Sequence, residues 1–505
     1  MLPSLVNGAY WKLSSTGGSV RFGGVTPHTE KWVSKNSAFY NDRIVGIFMT
    51  LGNEFEKLRT GELVLHCIQV EVFQKMDDGL KMSGHGTIKI NSVGTVYMEF
   101  ICTSSKNVPN AFFSEAIPKD PLNNDHELYL LAHVIGGDTY ESNGFTINVD
   151  FNSAHPPALH YIFLSSIHCH STTDTLTPAI DNYLYFEFAE PFNIPANKSN
   201  TVVSSLGSES FSWDQTTLNL EKYSISMIKK KNYTEVCVTG SFEPEEVLTC
   251  LKFYIGFSSS SMPQFVYVFK RMGTNTQKII SSIDKAQKRQ RAFSPMVPNV
   301  AGDSYRNSVY HYKLLENIIE LYNSNPKYFE SIYSQWERVW FSFQSKNSIM
   351  MLTLSVAIEG LLNDIYIPAF KTNEKNTELA CDVAEIKQQI KTLHLTEIQR
   401  SRLLSNVSYW ETITAAKALD KLIVQGVITK EDKKMWQDLR NESAHPKVRV
   451  SNLANERLEH AKVSSCLNLF HKLVLNTLSF SGPIIVLHAG KEPSCINLVH
   501  TNVLN

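Results

Sequence analysis

The sequence predicts an α+β protein: a β-rich, sandwich-like N-terminal region followed by an α-helical bundle. Three observations carry this. Short runs rich in β-branched and aromatic residues, set between turns, fill the first 280 or so residues. From about residue 303 the apolar spacing becomes helical. The 505 residues are 43% apolar and 19% charged, the composition of a globular chain with a core to bury, which excludes wholesale disorder. At about 100–200 residues per domain, the length allows two to four domains.

The expected strands, in order, are Ile44–Leu51, Glu62–Gln74, Gly86–Ile101, Glu127–Val134, Phe145–Phe151, Tyr161–His168, Tyr183–Phe188 and Phe265–Phe269. Turn chemistry divides them at Gly136-Gly137-Asp138, Ser142-Asn143-Gly144, Pro156-Pro157 and Ser258–Ser261. Lys229–Tyr233 reads as a hairpin turn and Glu243–Phe257 as one helix within the β-rich region, whose strands suit a sandwich or two subdomains. The Asp284–Phe293 run holds four bases against one acid and reads as a solvated linker, with a nucleic-acid contact as the minority reading. Domain boundaries are therefore expected at 1–280, a basic linker at 281–302, a helical domain at 303–481 and an extension at 482–505.

In the helical part, Leu314, Leu315, Ile318, Ile319 and Tyr322 form one stripe. Ile349–Tyr366 is nearly continuous apolar, as a central bundle helix requires. Further helices are expected from Thr396, over Ala415–Ile423, over Glu431–Asn441 behind a Thr429 cap, and over Asn452–Leu478. The β-like stretch Pro483–Leu487 opens the extension.

Composition excludes several function classes. Forty-eight basic against 49 acidic residues give a net charge of -1, so no general basic coat exists and any RNA site must be local. No apolar run approaches the roughly 18–20 residues of a membrane span, and the start lacks the form of a secretory signal. The eight cysteines stand apart without CxxC, which argues for free thiols in a reducing cytoplasm and against a zinc ribbon. The chain carries no P-loop, dinucleotide fingerprint, HExxH or GxSxG motif, so no cofactor is expected. His168 and His170, with His155 and His160 upstream, match no zinc template; histidines at a strand edge or loop are the expected reading.

The informative segment is Trp436–Pro446, where Arg440 and His445 bracket four residues and Asn441 follows the arginine. An arginine fork orients a phosphodiester, and a histidine near its solution pKa moves protons at neutral pH. RNA brings its own 2′-hydroxyl nucleophile, so this pair could cleave it without a metal. Along an ideal helix Arg440 and His445 would stand about 140° apart. Pro446 disfavours helix at His445, so the helix should end near Ala444 and let His445 swing toward Arg440. Thirteen arginines and 16 histidines give about 0.4 chance matches to this spacing. Arg306-Asn307-…-His311 is a second match, at the opening of a helix where both residues would face solvent. Nine of the 13 arginines lie from Arg289 onward, which favours the C-terminal half for phosphate recognition only as a tie-breaker. Glu359, a carboxylate on an apolar helix, needs a partner and could pair with an arginine or organise the cleft. The plain alternative makes Arg440 a helix-end residue on terminal carbonyls and His445 a turn residue.

The stretch Ala415–Pro446, with its leucine helix, glycine, capped tryptophan helix, LRN and AHP, resembles the HEPN superfamily, and Leu352–Leu362 resembles that domain's long core helix. The resemblance spans roughly residues 305–480. It implies a helical bundle that dimerises and a metal-independent endoribonuclease. Arg440 would hold the scissile phosphate, His445 would act as general acid or base, and Asn441 would orient one of them. The whole chain, by length and domain order, resembles ApeA-like bacterial antiphage proteins. That implies cytoplasmic RNA cleavage, with tRNA as a target, released by a phage-derived trigger sensed through the N-terminal region. Two rivals stand beside it: a catalytically silent HEPN-like binding or regulatory protein, and a β-sandwich ligand-binding protein with a helical oligomerisation domain.

Overall fold

The computed structural model describes residues 54–108, 114–115, 123–149, 156–172, 182–203, 209–284, 297, 304–343, 345, 347–373, 378–411, 413–444, 453–488 and 492–501. The expected strand Ile44–Leu51 and residues 285–293 of the basic run lie outside these. The chain divides into two units, Met1–Glu56 and Lys57–Asn505, and the second carries the sheets and the helical bundle.

The strands are β1 (Val64–Phe73), β2 (Lys81–Ile90), β3 (Val96–Lys106), β4 (Ser114–Glu115), β5 (Leu128–Val134), β6 (Thr139–Phe145), β7 (Asn148–Val149), β8 (Ala158–Leu164), β9 (Ser166–Thr172), β10 (Tyr183–Phe188), β11 (Lys198–Val203), β12 (Glu209–Asn219), β13 (Tyr223–Lys229), β14 (Thr234–Gly240), β15 (Phe265–Met272), β16 (Asn275–Ser281), β17 (Gly482–Val486) and β18 (Ser494–Leu498). The helices are α1 (Glu54–Thr60), α2 (Pro244–Ser259), α3 (Ser304–Ser324), α4 (Pro326–Ser342), α5 (Asn347–Leu361), α6 (Ile367–Asn373), α7 (Glu378–Thr392), α8 (Glu397–Glu411), α9 (Ala415–Val424), α10 (Lys430–Ala444) and α11 (Leu453–Thr477). A π-helical turn, Leu362–Tyr366, joins α5 to α6.

The α+β class is as the sequence predicts, and 14 of the 18 described strands join in one antiparallel ladder, while β4 with β7 and β17 with β18 pair apart from it. Its order is β11-β12-β13-β14-β10-β15-β16-β9-β6-β5-β1-β2-β3-β8. One part of this ladder returns on itself. β8 bonds to β3 and β9 bonds to β6, yet β8 and β9 are one run of chain broken only at Ser165. The strands β9-β6-β5-β1-β2-β3-β8 therefore close a circuit like a barrel. Strict alternation follows: every second residue of β5 and β8 is buried, which places Leu128, Leu130, Ala132, Ala158, His160 and Ile162 inside.

Two expected runs divide in the fold. Gly86–Ile101 is the β2–β3 hairpin, because Asn91 Oδ1 accepts from the amides of Val93 and Thr95 and closes a turn. Tyr161–His168 is cut at Ser165. In the opposite sense, Ser142-Asn143-Gly144, expected as a turn, lies within β6; Gly144 has φ +70°, and the β5 register slips beside it, between Leu128 and Tyr129. Lys230–Tyr233 is the expected hairpin turn between β13 and β14, and Pro483–Leu487 falls on the β17–β18 hairpin.

The other part of the ladder, β10 to β16, shares one apolar core with the helices. Phe186, Phe188, Val236 and Val238 pack with Leu248, Leu251 and Phe253 of α2, and these with Trp336, Leu354, Phe470 and Leu473 from α4, α5 and α11. The contact is close: a Cβ added at Gly256 would lie 2.4 Å from Cη2 of the fully buried Trp336. Helices α4 and α7 escaped the sequence reading. α4 opens with Pro326 behind an Asn325 cap that accepts from the Tyr328 amide, a signal available in the sequence.

By length and composition Ser348–Lys371 is long and apolar enough to cross a membrane, with a mean hydropathy of 1.4 and 44% of that window buried. Strict counting of apolar runs passes over it because Ser355, Glu359, Asn363 and Asp364 interrupt it. Here it is the central helix of the bundle, formed by α5, the π turn and α6.

Candidate active site around Arg440

α10 is fixed in place by contacts at its start, middle and end. Thr429 and Asp432 bond reciprocally at its start: the Asp432 amide donates to Thr429 Oγ1 at 3.1 Å, and the Thr429 amide donates to Asp432 Oδ2 at 2.9 Å. Two ion pairs to α11 hold the helix near both ends, Lys472–Asp432 at 2.8 Å and Lys462–Glu442. These side chains are mostly buried, and breaking such a pair costs about 3–5 kcal/mol. Trp436 Nε1 donates to the carbonyl of Ser355 at 3.1 Å and pins α10 to α5. Ser443 Oγ approaches Ser355 Oγ at 3.3 Å and also donates to the Arg440 carbonyl.

On this base Arg440 meets Glu359 side-on. Nε donates to Oε2 at 2.9 Å and Nη2 donates to Oε1 at 3.1 Å. The guanidinium also stands over the ring of Trp436, one turn back, at 5.8 Å from its centroid. The carboxylate that seemed out of place on the core helix thus has its arginine. The arginine side chain is 49% exposed and the glutamate 30%, so solvent screens the pair, and such pairs contribute about 0.2–1 kcal/mol. Orientation is the larger effect. The Nε–Nη2 edge is occupied, and among the described residues Nη1 has no partner. A guanidinium held in this way offers its Nη1 side to an incoming phosphate.

α10 is described as far as Ala444. His445 itself lies outside the described residues, as does Pro446. Asn441 is exposed on the last turn of α10. The structure therefore brings Arg440 and Glu359 together and leaves the placement of His445 undescribed.

The competing Arg306–His311 match is settled by burial. His311 is 2% exposed, and its Nδ1 lies 3.1 Å from the hydroxyl of buried Tyr254. It joins α3 to α2 and does not face solvent, contrary to expectation. His155 lies outside the described residues, and the described histidines of that group, His160, His168 and His170, do not converge. His160 points into the barrel, while His168 and His170 share the outer face of β9. His168 Nε2 lies 2.8 Å from Ser166 Oγ, and burial lowers its pKa with help from His170. Among the described residues no group of three His, Cys, Asp or Glu is placed to hold a metal ion.

Two open grooves lie between α4 and α5, and Glu359 lines one of them. One, of about 680 Å³, is lined by Gln335, Arg338, Val356, Glu359 and Asn363. The next, of about 560 Å³, is lined by Arg338, Phe341, Ile349 and Thr353. Along α5 the residues Ile349, Leu352 and Val356 are 52%, 45% and 50% exposed, and Glu359 follows on the same helical stripe. An apolar seam therefore runs to the Arg440–Glu359 pair. Helical spacing could have exposed it, since a helix apolar on every side has more than one face to cover.

The β-rich region has a cleft of its own, about 610 Å³, between the Asn91–Gly94 turn, Arg59, Glu187 and Tyr233. Arg59 is ion-paired with the buried Glu187 and lies 4.4 Å from the ring centroid of Tyr233. Comparison of the chain with protein-family models, curated proteins and solved structures gives no match.

Proposed function

We propose that this chain is a metal-independent endoribonuclease of the antiphage, abortive-infection type, acting in the cytoplasm on RNA, with tRNA as the substrate to test first. The observation that carries the reading is the side-on Glu359–Arg440 pair between α5 and α10, five residues before His445 in the sequence. Glu359 positions the guanidinium. Arg440 holds a nonbridging phosphate oxygen and neutralises charge as the 2′-oxygen attacks phosphorus. His445 takes the 2′-hydroxyl proton or delivers one to the departing 5′-oxygen. The P–O5′ bond breaks as the 2′-O–P bond forms, which leaves a 2′,3′-cyclic phosphate and a 5′-hydroxyl. Asn441 is assigned the orientation of one partner.

The exposed seam Ile349–Leu352–Val356 supports a homodimer through the helical part, because three half-exposed aliphatic side chains in register suit a second copy of the same stripe. Dimerisation would bring two Arg440 sites toward one interface. The cleft at Arg59 and Tyr233 is the place in the β-rich region for a trigger to act.

The test is cleavage of tRNA and total RNA by the full chain in EDTA, with Arg440→Ala and His445→Ala in parallel. Cleavage abolished by both substitutions is the expected result. Cleavage that survives both places the chemistry elsewhere. If wild type and both folded variants leave RNA intact with and without phage lysate, the silent binding-protein reading replaces the enzyme.

A further inference from the structure

We propose that the α7–α8 hairpin is an RNA-gripping arm whose cationic tip holds the substrate's phosphate backbone while Arg440 engages the scissile phosphate. The proposal rests on the ribonuclease reading and adds the element that positions the substrate.

The hairpin closes on a small apolar cluster of its own, Val383, Ile390 and Val407 with Ile386, Leu395 and Leu404 packed against it, separate from the main core. Such satellite clusters are how a projecting helical pair stays folded. Each helix has 15 residues, so the arm reaches about 22 Å.

The arm's root leads into α9, the helix directly before α10, and Lys433 of α10 donates to Asp420 of α9 at 2.6 Å. Along the chain the arm therefore joins the bundle one helix before Arg440.

Charge is distributed unevenly along the arm. The root stretch 378–385 carries Glu378, Asp382 and Glu385 and no base, whereas 386–403 carries Lys387, Lys391, Arg400 and Arg402 against Glu397 alone. Arg400 has a structural task, since Nη2 donates to the Leu393 carbonyl at 3.2 Å and caps the end of α7. Lys391 and Arg402 are exposed. In a chain of net charge -1, a basic tip on a projecting arm is a local electrostatic footprint for a polyanion. The acidic root favours the phosphates at the tip over the root, so a bound stem would lie along the arm's outer half.

The test uses the full chain with His445→Ala to silence cleavage, and fluorescence anisotropy with labelled tRNA over a range of salt. Lys391→Glu with Arg402→Glu should weaken binding about tenfold near 0.15 M salt. The slope of log affinity against log salt should fall by about 1.5–2, since two phosphate contacts are lost. Lys391→Gln with Arg402→Gln should weaken binding less while reducing the slope equally, and it decides the matter if the reversed pair loses helicity by circular dichroism. Unchanged affinity and slope in a folded variant overturn the proposal and leave the arm to a protein partner; absence of tRNA binding by the parent at low salt overturns it as well. The ribonuclease reading fails separately, if Arg440→Ala and His445→Ala leave cleavage intact whatever the arm does to affinity.

Discussion

Replacing Glu359 by alanine separates a positioning carboxylate from a competing one. The substitution removes both acceptors that hold Arg440, at 2.9 and 3.1 Å. Because the two side chains are 49% and 30% exposed, global stability should fall by only about 0.2–1 kcal/mol. Catalysis should suffer more. A guanidinium released to rotate loses its alignment with the phosphate, and a cost of about 1.4–2.7 kcal/mol corresponds to a 10- to 100-fold slower reaction. Arg440→Ala, which removes the cation itself, should cost about 10²- to 10³-fold. The diagnostic quantity is the double-mutant cycle on initial rates of tRNA cleavage. If Glu359 acts through Arg440, adding Glu359→Ala to Arg440→Ala changes little. Glu359→Gln retains an oxygen acceptor and should fall between wild type and Glu359→Ala. A faster Glu359→Ala enzyme would refute the reasoning, for it would mean that the carboxylate competes with phosphate for the arginine. Effects that multiply in the double variant would also refute it.

His471 is fully buried, and burial pushes its imidazole down to about 3. Its unfolded value is near 6.5, so as pH falls below that the unfolded chain takes up a proton that the fold refuses, and this site's contribution to stability should drop by about 2 kcal/mol at pH 5. Urea unfolding at pH 7.5 and 5 checks this, with His471→Leu expected to lose that share of the slope; equal slopes in both proteins would exclude the site. Gly256→Ala places a methyl 2.4 Å from Trp336 Cη2, so overpacking of about 1–3 kcal/mol is set against about 1 kcal/mol of gained helix propensity. The net loss should be about 1 kcal/mol, felt by the β10–β16 sheet and the bundle in one unfolding transition, and two transitions of which one stays fixed would contradict a shared core. Val356→Asp on the exposed seam should convert a dimer to monomer in light scattering without lowering monomer stability, and an unchanged mass would move the interface elsewhere.

The residues legible along the chain are those whose roles are set by neighbours in sequence. Thr429 and Asp432 announce a helix start because capping is a three-residue interaction. The switch from β to helical spacing near residue 303 follows from side-chain periodicity in the same local way. The alternation of β5 and β8 shows two-faced strands. It cannot show that β8 and β9 close a circuit, since that closure depends on hydrogen bonds to strands about 25 to 65 residues away. The boundary expected between a β-rich half and a bundle likewise hides the packing of α2 and the β10–β16 sheet against α4, α5 and α11.

The candidate site divides along the same line. Sequence alone determined that Arg440 lies on the helix behind the Thr429 cap and that Glu359 is a carboxylate requiring a partner. Only the tertiary structure decided that they are partners, 81 positions apart, and that His311 in the rival match is a core residue bonded to Tyr254. The physical reason is range. Propensity, capping and periodicity act within a turn or two, whereas desolvation and ion pairing depend on which distant surfaces the whole core brings into contact.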